Sequence, residues 1–442
     1  MIMMFSPTRM RNSTTICIRI YGPILACVLL VTGCADRRLL MPTPNLYTDE
    51  KAALFEALPE EYASTLVELI YVTDRAPETD EAGNLRYGYN RSNSLAVGTT
   101  VVDLGHNATW KELVEASRTH TRFSDLELRL VSIDEFARLP PTPTPYKVID
   151  GEVVEDPEVV AARDASVARL QAKVIQRLAL TPRKDVYLFV HGYHNTFEDA
   201  AFALAELWHF LGREGLPIVY TWPAGYPGIF GYTYDRESSE FTVFHLKQVI
   251  KWLSEQPEIE NIHLIAHSRG TDVAISAFRE LVIWARGAGI SPRERFKIKN
   301  FVLAAPDLDV QVFRQRITTE HLALAVDQGT LYASPDDKAI GLAEWLFASP
   351  RGRLGTLRIT ELNEQEIRTM KANAERITVV NFEGKSTGPG HSYFRTNPAV
   401  SSDLVLMIRY GLKPGEPGRP LEHIGLNFWR VPEGYPATAK IN

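Results

Sequence analysis

The sequence predicts an α/β fold in which a mostly parallel β-sheet is covered by helices on both faces. From residue 159 onward, short apolar segments alternate with longer segments whose apolar residues recur at helical spacing. The short segments are largely apolar at consecutive positions, which is typical of parallel strands buried on both sides. The chain has 442 residues, of which 45% are hydrophobic, so it can form a large core with appended segments.

The first 33 residues are expected to lie outside this fold as a signal peptide. They carry three arginines, no acid, and an apolar stretch at residues 20–31 that is short for a membrane-spanning helix. Residues 31–34 are Val-Thr-Gly-Cys and resemble the lipobox of bacterial lipoproteins, in which the cysteine, here Cys34, becomes the lipidated first residue. An uncleaved anchor and an ordinary secretory signal are the alternatives.

The lipobox resemblance implies a protein anchored by lipid in the bacterial cell envelope. Cys17 and Cys27 would be removed with the signal, so the mature chain could form no internal disulfide. Ala35, which follows the cysteine, favours the outer membrane over the inner membrane, with the domain facing the periplasm or the surface. The net charge of −6 and the absence of a basic stripe in the sequence argue against a nucleic-acid partner.

The segment before the main domain is predicted to hold a tether and a strand-rich extension. Prolines at residues 140–145 predict a stiff linker, and the end of the chain, rich in proline and glycine, is expected to wrap the surface. The predicted divisions are a tether at 34–46, an extension at 47–150, a catalytic domain at 151–412 and a tail at 413–442. The predicted strands of the extension are 66–72, 95–104 and 126–133, with a polar loop at 74–93.

The main domain is predicted to alternate strands and helices to its end. The predicted helices are 159–178, 197–211, 241–253, 271–284, a segment around Glu344 and one that includes 404–408. The predicted strands are 186–190, 218–221, 262–265, 301–304, 331–333 and 377–380.

Ser268 is the candidate nucleophile because it stands where a predicted strand passes directly into a predicted helix. A nucleophile elbow needs this sharp turn, and the positions two residues to either side of the serine must be small, as Ala266 and Gly270 are. The helix N-terminus also favours the negative charge of an oxyanion. Ser386, in Gly-Lys-Ser-Thr-Gly, is the literal motif match, but the proline and glycine that follow it prevent a helix from starting there.

His391 is the candidate general base. A serine nucleophile needs a base and an orienting acid, and in hydrolases with such an elbow the chain order is serine, acid, histidine. His391 lies in the loop after the strand at 377–380, whereas His321 lies in a predicted helix and His423 in the tail.

Asp337 is the candidate acid, because it lies between the end of a predicted strand and the start of a helix. Its neighbour Asp336 remains open at this point, and so do Asp307 and Asp309, which follow the preceding strand. Aspartate at such positions also caps helices without any catalytic role.

Two backbone N–H groups are expected to form an oxyanion hole, one from Arg269 and one from Tyr193. Tyr193 follows a predicted strand, and the adjacent Gly192 allows the backbone to approach the nucleophile closely. A metal site at His191 with His194, or at His263 with His267, has no supporting ligand motif. No metal and no cofactor are therefore expected.

From about residue 66 to residue 409 the chain resembles the alpha/beta-hydrolase superfamily, in particular a bacterial esterase/lipase-like branch of uncharacterised function. The segments that carry the resemblance are 71–75 (YVTDR), 189–193 (FVHGY), 221–223 (TWP), 266–270 (AHSRG), 304–307 (AAPD), 334–339 (SPDDKA) and 390–392 (GHS). The resemblance implies the alpha/beta-hydrolase fold and, by position, Ser268 as nucleophile, Asp337 as acid and His391 as base. Ala266 departs from the usual glycine by one methyl group.

The sequence therefore predicts a serine hydrolase that cleaves small-molecule carboxylic esters through an acyl-enzyme. A thioesterase or amidase with the same triad is one alternative, and an inert surface lipoprotein that uses the fold as a binding scaffold is another. The glycine-rich, aromatic segment at 223–234 is interpreted either as a mobile wall of an acyl pocket or as a loop packed on the body. No protein partner is predicted.

Overall fold

The fold is seen in a computed structural model, which describes residues 37–48, 55, 58–122, 124–228, 230–341, 352–383 and 391–436. Residues 1–33, Cys34, Ser386 and the segment around Glu344 lie outside the described residues. Lipidation of Cys34 and the signal peptide therefore stay predictions. No helix in the described part of the chain is both long enough and apolar enough to cross a membrane.

One large sheet dominates the structure. Its strands are β1 (Leu66–Thr79), β2 (Leu85–Asp103), β3 (Arg129–Arg138), β6 (Asp185–Val190), β7 (Leu216–Thr221), β8 (Asn261–His267), β9 (Ile298–Ala304), β10 (Gln328–Ala333), β11 (Ile377–Asn381), β12 (Glu422–Gly425) and β13 (Phe428–Arg430). A separate hairpin contains β4 (Tyr146–Ile149) and β5 (Glu152–Glu155). The order across the large sheet is β12-β13-β11-β10-β9-β8-β6-β7-β1-β2-β3.

Helices connect most of the parallel strands. They are α1 (Trp110–Ala116), α2 (Pro157–Ala179), α3 (Phe197–Phe210), α4 (Gly231–Glu255), α5 (Gly270–Gly287), α6 (Pro292–Phe296), α7 (Val310–Phe313), α8 (Glu364–Ala372), α9 (Tyr393–Thr396) and α10 (Pro398–Ile408). Short 3-10 turns occur at Asn45–Tyr47, Glu60–Tyr62, Leu322–Ala325, Leu354–Thr356 and Ile359–Glu361, and a π-helical turn occurs at Arg314–Thr318.

The centre of the sheet is parallel and buried on both faces, which confirms the predicted fold class. All neighbouring pairs from β1 through β7, β6, β8, β9, β10 and β11 to β13 are parallel. Successive side chains of β6 alternate between two cores: Leu188 packs with residues of α2, α4 and α5, whereas Phe189 packs with residues of α3 and α10. Because both faces carry helices, every residue of β6 is buried.

The predicted loop at 74–93 is wrong, because β1 and β2 continue through it as one long antiparallel hairpin. The turn is closed by Asp80, whose Oδ1 accepts the backbone N–H of Ala82 at 3.0 Å and of Asn84 at 2.8 Å. The outer half of the hairpin is largely exposed, so its polar residues carry no apolar alternation that would indicate a strand.

Both ends of the chain join the same sheet. On one edge, the N-terminal strand β1 pairs with β7 in parallel, and β2 and β3 extend the sheet further by antiparallel pairing. The tail, which the sequence analysis expected only to wrap the surface, contributes β12 and β13 at the other edge. The described residues from Leu39 onward consequently form one compact unit.

Candidate active site

Ser268 lies in the predicted turn between β8 and α5. Its φ is 52°, in the left-handed region that costs energy for a residue with a side chain. The turn is fixed by its backbone: the Ser268 N–H donates to the carbonyl of Ala304 at 2.9 Å, and Thr271 Oγ1 donates to the Ser268 carbonyl at 2.7 Å. The residue after the turn, Gly270, must be glycine because a Cβ there would lie 2.2 Å from the carbonyl oxygen of His191.

His391 and Asp337 are brought together by the loops after β11 and β10. His391 Nδ1 lies 2.8 Å from Asp337 Oδ2. The other carboxylate oxygen accepts the backbone N–H of Ala339 at 3.0 Å and of Ile340 at 3.1 Å, so the acid is held on both sides. Because a carboxylate only accepts, Nδ1 carries the proton and Nε2 can take one from a hydroxyl.

His267, the neighbour of Ser268, connects the turn at Ser268 to His391. Its Nε2–H donates to the carbonyl oxygen of His391 at 3.1 Å, and the two ring centroids are 4.9 Å apart. Burial holds the pKa of His267 well below its usual range, so this ring is neutral. Sequence reasoning gave His267 only a rejected metal role, and no sequence signal showed that its partner would be a backbone atom.

The rival acids have other partners. Asp307 forms a buried ion pair with Arg353 and accepts a hydrogen bond from Tyr232 Oη at 2.9 Å. Asp309 caps α7, since its Oδ1 accepts the backbone N–H of Gln311 at 2.8 Å. Asp336 is exposed. Among the described residues it is therefore Asp337 that contacts His391.

The loop at residues 191–195, which we call the oxyanion loop after the predicted donor Tyr193, lies against Ser268. A Cβ at Gly192 would come within 2.6 Å of the Cβ of Ser268, so only glycine permits this approach. The N–H of Gly192 donates to Asn195 Oδ1 at 3.2 Å, and the N–H of His194 donates to Asp235 Oδ2 at 2.9 Å. Within the described residues the N–H groups of the predicted donors, Tyr193 and Arg269, have no acceptor.

The histidines considered for a metal site are placed differently. His191 is fully buried, and its Nε2 accepts the N–H of Trp222 at 3.0 Å, while burial and then the nearby Arg75 lower its pKa to about 3. His263 lies 2.8 Å from Asn300 Nδ2 and 3.2 Å from Asp185. Over the described residues, no group of three or more His, Cys, Asp or Glu is placed to hold a metal ion.

Two buried charged residues that sequence reasoning left without a role, Arg75 and Asp235, contact the oxyanion loop. Arg75 belongs to the segment 71–75, and the only sequence signal for a role of Arg75 was that this segment carries part of the resemblance to alpha/beta hydrolases. Asp235 lies in the first turns of α4, a stretch where no helix was predicted.

Comparison with known proteins gives a family match and distant structural likenesses. The family model described as "Alpha/beta hydrolase of unknown function (DUF900)" matches residues 166–409, more than half of the chain. No curated protein is significantly similar in sequence. The crystal structure of EstE1, a thermophilic carboxylesterase from a metagenomic library, is 14% identical with a TM-score of 0.26, covering 57% of this chain and 99% of that one. A lipase-esterase related protein from Clostridium acetobutylicum is 14% identical with a TM-score of 0.23, covering 51% and 94%.

Proposed function

We propose a serine-hydrolase mechanism for this chain, which belongs to the family of alpha/beta hydrolases of unknown function DUF900. The proposed reaction is the hydrolysis of carboxylic esters. The observation that supports it most is the 2.8 Å contact between His391 Nδ1 and Asp337 Oδ2, in a loop that is hydrogen-bonded to the neighbour of Ser268. Asp337 is buried and its second carboxylate oxygen is held by two backbone N–H groups, so it is fixed in the position from which it can orient His391.

In the proposed first half-reaction, Ser268 Oγ attacks the ester carbonyl and His391 Nε2 takes its proton. Asp337 keeps the imidazole in the required tautomer and stabilises its charged form. The N–H groups of Tyr193 and Arg269 bind the oxyanion of the tetrahedral intermediate. The His391 proton then passes to the leaving alcohol, and an acyl-enzyme remains on Ser268.

In the second half-reaction, His391 takes a proton from water, and the hydroxide attacks the acyl carbonyl. Collapse of this intermediate releases the carboxylic acid and returns the proton from His391 to Ser268. The turn at Ser268 suits this chemistry, because the strained backbone presents the nucleophile at the end of a strand.

A fluorophosphonate probe tests the proposal directly. Wild-type protein should be labelled, and labelling should disappear in Ser268→Ala. The matched control is Ser386→Ala, which removes the serine of the literal motif and should leave labelling intact. A folded wild-type protein that is not labelled would favour the inert scaffold and contradict the proposal.

The bond that is cleaved needs a separate measurement. Short p-nitrophenyl esters, acyl-thioesters and peptides should be compared by kcat/KM with the soluble form lacking residues 1–34. Ester hydrolysis is expected to dominate. A higher kcat/KM for thioesters or peptides would leave the proposed triad unchanged and would identify a substrate class other than carboxylic esters.

A further inference from the structure

Two neighbouring loops beside the elbow are joined by a single buried carboxylate. They are the oxyanion loop and the β7 loop, residues 222–226. Asp235 Oδ2 accepts the N–H of His194 at 2.9 Å and of Gly225 at 3.1 Å, and its Oδ1 also lies 3.1 Å from the N–H of Gly225. Asp235 is only 1% exposed, and burial raises its pKa. The carboxylate therefore binds an N–H group of each loop.

A single buried guanidinium joins the same two loops through their carbonyl groups. Arg75 Nη2 donates to the carbonyl of Asn195 at 2.8 Å, and Nη1 donates to the carbonyl of Ala224 at 2.9 Å. Nη1 also donates to the carbonyl of Gly88 in β2 at 2.8 Å. Arg75 is 1% exposed, and burial lowers its pKa to about 10.

The two side chains act on complementary atoms of the same pair of loops. Asp235 accepts hydrogen bonds from N–H groups, and Arg75 donates hydrogen bonds to carbonyl groups. Each loop is therefore held through both kinds of backbone polar group. The neutral His191 adds a third connection, because its Nε2 accepts the N–H of Trp222. Tyr193 lies between residues 192 and 194, whose N–H groups are both hydrogen-bonded to side chains.

We propose that Arg75 and Asp235 are positioning residues for the oxyanion hole, acting through the backbone of residues 194 and 195, next to Tyr193. This inference rests on the proposed function. It also assigns a role to the N-terminal extension, because Arg75 lies in β1, outside the residues 166–409 that the family model matches. Strand β1 would then complete the active site in addition to widening the sheet.

Arg213 provides a matched control. It is also a 1% exposed arginine that donates to backbone carbonyls, of Tyr62 at 2.7 Å and of Ser64 at 2.6 Å. It precedes β7, at the amino ends of the parallel strands, whereas Arg75 follows the part of β1 that pairs with β7, at their carboxyl ends. Arg213→Met removes an equally buried charge far from the elbow.

Hydrogen exchange on the protein without substrate tests whether Arg75 and Asp235 hold the two loops together, an arrangement that we call the clamp. In Arg75→Met and in Asp235→Asn, the hydrogen-bonded amides of His194, Trp222 and Gly225 should exchange at least about tenfold faster than in wild type, and Arg213→Met should leave them unchanged. If Arg75→Met does not fold, Asp235→Asn and Arg75→Lys test the same loops. Unchanged exchange in the folded variants would overturn the proposal.

Kinetics test whether the clamp positions the oxyanion donors. For each folded variant, kcat/KM on a p-nitrophenyl ester should fall by up to about 10²–10³, with little change in KM. The Ki of an arylboronic acid, which forms a tetrahedral adduct with the serine, should rise by the same factor. Faster exchange with unchanged kcat/KM and Ki would overturn the positioning role. A wild-type protein without activity or probe labelling would instead overturn the proposed function, while exchange would still decide the clamp.

Discussion

Asp337 and Asp307 are both buried acids that follow parallel strands, and their partners distinguish them. Asp337 contacts His391, whereas Asp307 contacts Arg353 and Tyr232. An acid whose charge balances an arginine stabilises the fold, and an acid that orients an imidazole acts on catalysis. The two substitutions should therefore produce different kinds of defect.

Asp337→Asn is expected to lower kcat by about 10⁴-fold with only a small loss of stability, because the amide favours the wrong tautomer of His391. Asp307→Asn should lower the free energy of unfolding by about 3 kcal/mol and change kcat per folded molecule much less, because the neutral amide cannot form the buried ion pair with Arg353. Urea unfolding and ester hydrolysis of both variants check this. Loss of turnover only in a folded Asp307→Asn protein would identify Asp307 as the acid.

At the residue scale, Ser268, Asp337 and His391 could be predicted from the sequence, because the residue types that a triad requires occur there in the required order. Sequence reasoning favoured Asp337 but left Asp307 and other aspartates open as the acid, because the identity of the acid depends on which loop meets His391 in space. It had no access to the contacts of Arg75 and Asp235, because their partners are backbone atoms, which every residue type carries.

At the scale of elements, the contact between α5 and the end of β6 depends on one glycine. A Cβ at Gly270 would lie 2.2 Å from the carbonyl oxygen of His191 and 2.7 Å from that of Val190. Both are backbone atoms, so neither can rotate away. The helix that follows Ser268 can approach the sheet this closely only without a side chain at this position.

Gly270→Ala should therefore lower the free energy of unfolding by more than about 3 kcal/mol, since relief requires a shift of backbone. The control is Gly287→Ala at the other end of α5, where a Cβ would meet no atom within 4 Å. That substitution should be neutral or stabilise the protein by up to about 1 kcal/mol. Thermal and urea unfolding compare the two, and equal stabilities would show that the close approach at Gly270 is absent.

The central elements could be predicted because their apolar periodicity reflects burial on one or both faces. Predictions failed where burial does not follow such a pattern. Helix α4 begins at Gly231, ten residues before the predicted start, because its first turns bury polar residues such as Asp235 and Ser238. The outer part of the hairpin of β1 and β2 is exposed. It is formed by backbone pairing, and its sequence has no alternation of apolar residues that would indicate a strand.

At the scale of the whole molecule, the tail is attached to the rest of the fold by a buried polar network. Arg419 binds both oxygens of Asp403 at 2.7 Å, and Asp403 also accepts hydrogen bonds from Tyr332 at 2.7 Å and Tyr435 at 2.6 Å. Asp403 lies in α10 and is fully buried. Without the tail its charge would lack a cation and one of its hydroxyl donors.

Two arginines of the tail allow this attachment to be measured. Arg419 and Asp403 have side-chain exposures of 1% and 0%, whereas Arg430 and its partner Glu422 have 37% and 49%. Arg419→Met should lower the free energy of unfolding by about 3–5 kcal/mol, because an unpaired carboxylate stays buried. Arg430→Met should cost less than about 1 kcal/mol, because water solvates its partner.

Urea unfolding of the two variants gives the comparison directly, since both remove one arginine from the same segment. A large loss only in Arg419→Met would show that residues 413–436 are part of the folding unit, and that a chain ending at residue 412 cannot retain wild-type stability. Small and equal losses in the free energy of unfolding of both variants would show that the tail contributes little to the stability of the fold. Strand β11, which precedes His391 in the chain, pairs with β13 of the tail, so a loosened tail should also reduce the population of molecules in which the proposed triad is assembled.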